Sequence, residues 1–141
     1  MSDAAILEKM NQILQLELEG VNRYLHHSFM VFGFSRKPIV SYFRTQADES
    51  IQHAILLGEK IVARGGHPTI VTEARWEPEK HTVLEMLQIN LEAEKRVLGE
   101  YAALLKLVPE DDVALEELVR GQIRAEQEHV EELEKYIRNP E

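Results

Sequence analysis

The stretch GGHPTIVTEARWEP, residues 65–78, decides the fold because it is a long connection between two long helical segments. The other breaks are short, and they leave four segments at roughly 3–32, 37–64, 79–107 and 111–138. Short links predict antiparallel neighbours, whereas a link of about 14 residues can carry the chain along the full length of a bundle. The sequence therefore predicts an all-α fold in a single domain over residues 1–141: an antiparallel four-helix bundle with one long crossover between its second and third helices.

The helical segments follow from their apolar residues, which recur every three or four positions as in an amphipathic helix. Pro38 and Pro78 suit the first turn of a helix, where a missing backbone N–H removes no hydrogen bond. Gly65 suits a C-terminal cap. Trp76, within the crossover, is expected to be a packing or interface anchor.

The composition excludes several classes of protein. The 141 residues include 25 acidic and 16 basic side chains, a net charge of −9, and no cysteine. Without a long basic run we expect no nucleic-acid partner, and without cysteine there are no disulfides or thiolate metal sites. No apolar run approaches the roughly 20 residues that span a membrane, and the N-terminus lacks the features of a signal peptide. We therefore expect a cytoplasmic protein with no membrane partner.

Polar residues interrupt the inward apolar stripe of every segment near its midpoint. They are Glu17 in the first segment, Ser50 and His53 in the second, Glu94 in the third, and Glu126 and His129 in the fourth. Several carboxylates buried together repel one another and need a compensating positive charge, yet Lys and Arg are absent from the middle of these stripes. Mixed carboxylate and imidazole ligands suit iron or manganese and tolerate zinc.

The spacing of these residues also favours a metal site. Glu126 and His129 are three residues apart, so they share one helix face and can reach one metal ion. A Glu from each of two helices and a Glu-x-x-His from each of the other two is the ligand pattern of di-iron carboxylate bundles. Singly, each residue fits a solvated or helix-end position as well. Tyr24, two turns after Glu17, lies either near the metals or simply packed with its hydroxyl satisfied.

Four stretches of the sequence resemble the bacterioferritin branch of the ferritin family. They are LELEGVNRYLHH (16–27), QADESIQHAILLGEKIVARGGHP (46–68), NLEAEKRVLGEY (90–101) and IRAEQEHVEELE (123–134). The resemblance implies a ferritin-like bundle with a di-iron centre, which oxidises Fe(II) with O2 or peroxide and stores the ferric product. It implies terminal ligands at Glu17 and Glu94, histidine ligands at His53 and His129, a bridging carboxylate at Glu126, and Tyr24 close to the centre as a candidate catalytic residue.

The sequence departs from the family pattern at three places. Ser50 stands where the family has a second bridging glutamate. Ile51 stands where bacterioferritins have the methionine that binds haem, so we expect no haem. The chain stops at Glu141, without the fifth helix of the large cages, so we expect a homo-oligomer such as a dimer or a small cage.

Glu49 is the candidate replacement for the missing bridge. A one-residue π-bulge would rotate it toward the metals. Alternatively it faces solvent or a cage interior, and the second metal is weak or absent. The sequence thus leaves three functions open: an Fe(II)-oxidising storage or detoxification protein, a metal-binding scaffold or cage partner subunit with an impaired ferroxidase site, and a metal-free bundle.

Overall fold

The computed structural model describes residues 2–73 and 78–138, and these residues form four α-helices. The helices are α1 (Ser2–Phe29), α2 (Arg36–Ala63), α3 (Val83–Leu107) and α4 (Val113–Ile137). The predicted all-α four-helix bundle is confirmed. Within the described part of the chain, no helix is both long and apolar enough to cross a membrane. Trp76, our predicted packing or interface anchor, lies outside the described residues.

Contacts between side chains fix the relative directions of α1, α2 and α3. The hydroxyl of Tyr24 lies 2.6 Å from Glu94, and that of Tyr101 lies 3.0 Å from Glu17, so α1 and α3 are antiparallel. Helix α2 is antiparallel to α1, because it follows through a short link and His53 lies beside Glu17. Helices α2 and α3 therefore run in the same direction, and the crossover between them must return along the bundle.

The crossover is held against α1 by polar side chains. Asn11 donates from its side-chain amide to the carbonyl of His67 at 3.0 Å and accepts from the backbone N–H of Thr69 at 2.8 Å. Two turns further along α1, Glu19 accepts from the backbone N–H of Glu73 at 3.2 Å. The crossover thus advances along α1 in the same direction as the helix, as the length of this connection predicts.

Helix α3 begins at Val83 rather than near residue 79, so Pro78 is not in its first turn. The cause is a capping box: Thr82 Oγ1 accepts from the backbone N–H of Glu85, whose carboxylate accepts from the backbone N–H of Thr82. The predictions for α2 are confirmed. Pro38 lies in its first turn, and Gly65 follows its last turn with φ +84°, a conformation that favours glycine.

Apolar packing occurs in two clusters at opposite ends of the bundle. One cluster centres on Ile6, Met10, Leu57 and Leu104, and the other on side chains such as Phe43. The polar residues of the inward stripes lie between the two clusters. The fold therefore places them at one level, away from both ends of the helices.

Candidate metal centre

Five predicted ligands converge at the middle of the bundle, one or two from each helix. The three carboxylates are buried, and the side chains of His53 and His129 are only 12% and 13% exposed. The convergent residues are Glu17 from α1, His53 from α2, Glu94 from α3, and Glu126 and His129 from α4. Their ligand atoms form two groups of three, and within each group all the ligand atoms lie within 4.8 Å of one another.

The first group consists of Glu17, His53 and Glu126. His53 Nδ1 lies 3.2 Å from Glu17 Oε2 and 3.5 Å from Glu126 Oε1. The second group consists of Glu94, Glu126 and His129. His129 Nδ1 lies 3.8 Å from Glu94 Oε2 and 3.7 Å from Glu126 Oε1. Glu126 belongs to both groups, so its carboxylate lies where it can join two metal positions.

Two tyrosines hold the terminal carboxylates in a nearly symmetric way. Tyr24, on the same helix as Glu17, donates to Glu94 at 2.6 Å. Tyr101, on the same helix as Glu94, donates to Glu17 at 3.0 Å. Each tyrosine follows the glutamate of its own helix by two turns. Because α1 and α3 are antiparallel, each tyrosine therefore lies beside the glutamate of the other helix. Gln122 on α4 donates to the Tyr101 hydroxyl at 3.3 Å.

Burial and pairing decide which of these groups carry protons. Burial opposes the charged form of His53, but hydrogen bonds to Glu126 and Glu17 raise its pKa to about 10. Burial also opposes the charged form of His129, but Glu126 and Glu94 raise its pKa to about 9. Burial raises the pKa of Glu94 to about 8, and the charge of Glu126 adds to this rise. Burial likewise raises the pKa of Glu17.

Glu126 behaves in the opposite way. Burial works against its ionisation, but the imidazoles of His129 and His53, 3.7 and 3.5 Å from its carboxylate, lower its pKa to about 2. At neutral pH the metal-free centre therefore holds an ionised Glu126 between two protonated imidazoles. Protons supply the positive charge that the buried carboxylate needs.

The residues fit a pair of metal ions. Glu126 Oε2 and His129 Nδ1 are buried and have no hydrogen-bond partner among residues 2–73 and 78–138, although both are strong ligand atoms. Each group offers a terminal carboxylate, an imidazole and a share of Glu126. Oxygen and imidazole nitrogen donors in this combination suit iron and manganese, and zinc as well.

The structure places Glu49 at the edge of this centre and outside both groups. Its Oε1 accepts from His129 Nε2 at 2.9 Å, on the opposite side of the ring from Glu94 and Glu126. Ser50 is buried against α1, where a Cβ added to Gly20 would lie 3.3 Å from Ser50 Oγ. Ser50 therefore lies at a close contact between α1 and α2.

Two residues at the centre were not among the predicted site residues: Tyr101 and Gln122. The sequence does contain a signal for Tyr101, because Glu94 and Tyr101 repeat the spacing of Glu17 and Tyr24. Residues seven apart lie on one helix face, so the repeat places a glutamate and a tyrosine on the inward face of both helices. Gln122 has no comparable signal.

Comparison with known proteins agrees with this architecture. Residues 7–141 match the ferritin-like domain family. A search of curated proteins gave no match. A ferritin-like diiron-carboxylate protein from Bacillus anthracis is 24% identical, with a TM-score of 0.91 over 98% of this chain and 99% of its own.

Two further solved structures are similar. The dodecameric thioferritin of Bacteroides fragilis, a bacterioferritin-related protein, is 19% identical, with a TM-score of 0.87 over 96% of this chain and 85% of its own. The bacterioferritin of Desulfovibrio desulfuricans, which has a diiron site, is 21% identical, with a TM-score of 0.87 over 96% of this chain and 80% of its own. At these identities the likeness shows the fold alone.

The family match extends over nearly the whole chain, including all of α2, α3 and α4 and most of α1. The helix order, the long crossover and the layer of Glu and His side chains between two apolar clusters agree with that match. The chain therefore belongs to the ferritin-like domain family.

Proposed function

We propose that the protein binds two Fe(II) ions at the candidate metal centre and oxidises them with O2 or peroxide, in iron storage or detoxification. The observation that supports this best is the position of Glu126, whose carboxylate belongs to both groups of ligand atoms. A carboxylate shared in this way can hold two metal ions next to each other. Two Fe(II) ions bound side by side supply the two electrons that reduce O2 to peroxide, or peroxide to water.

The protein side chains have separate tasks in this proposal. Glu17 and His53 bind one ion, Glu94 and His129 bind the other, and Glu126 binds both. The tyrosine hydroxyls fix the two terminal carboxylates. Tyr24 is the candidate catalytic residue, because its hydroxyl donates to Glu94 at 2.6 Å and keeps a proton beside the centre.

Iron is the metal that we propose, and manganese and zinc suit the same donors. Haem is not part of the proposal, because an isoleucine at position 51 offers no atom that can bind its iron. We further propose that the protein acts in the cytoplasm.

A second function is a metal-binding scaffold, or a partner subunit in a mixed cage, that holds one ion and turns over poorly. The chemistry of Ser50 and the position of Glu49 favour this second function. Ser50 provides no carboxylate, and the Glu49 carboxylate accepts from His129 on the far side of the ring. Among the described residues, only Glu126 then has a carboxylate placed to bridge two metal ions.

Iron oxidation separates the two functions. Metal-free protein is loaded anaerobically with Fe(II), the bound iron is counted, and ferric absorbance is followed after adding O2 or peroxide. Two irons per chain and oxidation well above the rate in buffer support the first function. One iron without oxidation above that rate supports the scaffold, and Glu128→Gln, an exposed change on α4, serves as the control variant.

We also propose that the protein forms a homo-oligomer, either a dimer or a small cage. Support comes from large apolar side chains exposed on the chain, including Phe29, Phe32 and Ile55. Burying such side chains between subunits is favourable. Light scattering coupled to size-exclusion chromatography measures the mass directly, and a monomer at micromolar concentration would contradict the proposal.

A further inference from the structure

The two halves of the candidate metal centre differ in how their histidines are held. His129 Nε2 donates to Glu49 Oε1 at 2.9 Å, so the carboxylate fixes the far side of the ring. His53 has the same orientation toward the centre, with Nδ1 facing Glu17 and Glu126. Its Nε2 has no partner among the residues that the structure describes. The two terminal carboxylates, by contrast, are each held by a tyrosine.

We propose that Glu49 is a positioning residue for His129, which makes the half containing Glu94 and His129 the tighter of two metal sites. This inference rests on the proposed metal-binding function. It assigns Glu49 a role outside the set of metal ligands, in place of the missing bridge.

The geometry supports a positioning role over a bridging role. A histidine binds a metal through one ring nitrogen, and a partner on the other nitrogen fixes the tautomer and the ring orientation. Nδ1 of His129 faces Glu94 and Glu126 at 3.8 and 3.7 Å, while Nε2 faces Glu49. For Glu49 to bridge the metals, the ring between them would have to move.

The position of Glu49 also suits this role chemically. Its side chain is 42% exposed, whereas that of His129 is 13% exposed, so the carboxylate contacts both solvent and the buried ring. An ionised carboxylate can only accept hydrogen bonds, so it requires the proton on Nε2. The lone pair of Nδ1 is then free for a metal ion when that nitrogen is deprotonated.

The test uses Zn²⁺, which binds the same donors without redox chemistry. Metal-free wild-type protein, Glu49→Ala and Glu49→Gln are titrated with Zn²⁺ against a chromophoric chelator to obtain stepwise affinities. The matched control is Asp48→Asn, which removes an exposed negative charge from the neighbouring position of α2. Long-range ¹H–¹⁵N spectra of the Zn²⁺-loaded proteins report which nitrogen of His129 carries the proton.

We expect the tighter Zn²⁺ affinity to fall by about 10- to 100-fold in Glu49→Ala, as for other outer partners of metal-bound histidines. The weaker affinity and the total of two ions should not change. Glu49→Gln keeps an acceptor oxygen, so it should lose less of the tighter Zn²⁺ affinity. Asp48→Asn should have the same stepwise affinities as the wild type. In the spectra, His129 should change from one ordered ring, with its proton on Nε2, to a mixture of ring orientations in Glu49→Ala.

Three results would overturn the inference. Unchanged stepwise affinities in Glu49→Ala would show that the hydrogen bond does not position His129. A total of one ion in both Glu49 variants, with the His129 spectrum unchanged, would make Glu49 a ligand instead. Wild-type protein that binds no Zn²⁺ and no Fe(II) would remove the proposed function and this inference together, whereas the first two results leave the proposed function standing.

Discussion

Glu126→Gln tests the centre at its most connected residue. The substitution keeps the shape of the side chain but removes the charge that His53 and His129 both face. Lowering the pKa of Glu126 from 4.5 to about 2 corresponds to about 3 kcal/mol in favour of the ionised form in the folded protein. Breaking a buried ion pair by removing one partner costs about 3–5 kcal/mol in other proteins, which is of the same size.

The sign of this contribution follows from the direction of the pKa shift. A carboxyl whose pKa is lower in the folded protein stabilises the fold above its unfolded pKa, and the stabilisation is lost as the pH falls toward the folded value. For Glu126 it is fully present at pH 7 and decreases from about pH 4.5 to about pH 2. The measurement therefore belongs at neutral pH.

The assay is urea unfolding of the metal-free protein at pH 7, followed by a count of bound Zn²⁺ or Fe(II). Glu126→Gln should lower the free energy of unfolding by about 3 kcal/mol, or the melting temperature by about 10 °C. It should also weaken both metal positions, because the carboxylate serves both groups. Glu128→Gln should change neither quantity. A Glu126→Gln protein as stable as this control, and still binding two ions, would refute the reasoning.

Three further predictions concern the surroundings of the centre and the fold. Tyr101→Phe removes a hydrogen bond to a terminal carboxylate and should weaken one Zn²⁺ affinity by about tenfold; an unchanged titration would exclude a positioning role. Zn²⁺ binding at pH 7 should release protons and tighten as the pH rises, because the pKa values of His53 and His129 are about 10 and 9. Calorimetry in buffers of different ionisation enthalpy detects the released protons. Binding heats that do not depend on the buffer would contradict this prediction. Gly65→Ala, at φ +84°, should destabilise the metal-free protein by about 1 kcal/mol. Gly99→Ala, where the added methyl meets nothing within 4 Å, should stabilise it by about 0.5–1 kcal/mol. Thermal unfolding measures both changes, and a Gly65→Ala protein more stable than Gly99→Ala would contradict the prediction.

The architecture was predictable because two separate features of the sequence indicate it. Apolar spacing defines the helices, and the connection between α2 and α3 is long enough for these helices to be parallel. The prediction that α3 starts near residue 79, with Pro78 in its first turn, is wrong because the reciprocal hydrogen bonds of Thr82 and Glu85 begin the helix at Val83. A capping box satisfies two backbone N–H groups, whereas a proline only avoids leaving one unpaired.

The convergence of the predicted ligands could also be inferred from the sequence, because residues at the midpoints of four packed helices meet at one level. The environment of Glu49 could not. On α2, Glu49 lies between the inward face and the solvent-facing side of the helix. Its side chain turns toward the centre because it hydrogen-bonds the ring of His129, which belongs to another helix. Contacts of this kind depend on helix rotation and side-chain rotamers that no spacing encodes. Tyr101 was predictable in principle, from its spacing to Glu94.

The shared carboxylate is the centre of this account, and metal stoichiometry tests it most directly. Metal-free protein is titrated with Fe(II) under strictly anaerobic conditions, and the bound iron is counted per chain alongside Glu126→Gln. The account predicts two irons per chain in the wild type and loss of both high-affinity positions in the variant. A wild-type protein that binds one iron or none, or a variant that still binds two as tightly, would contradict it.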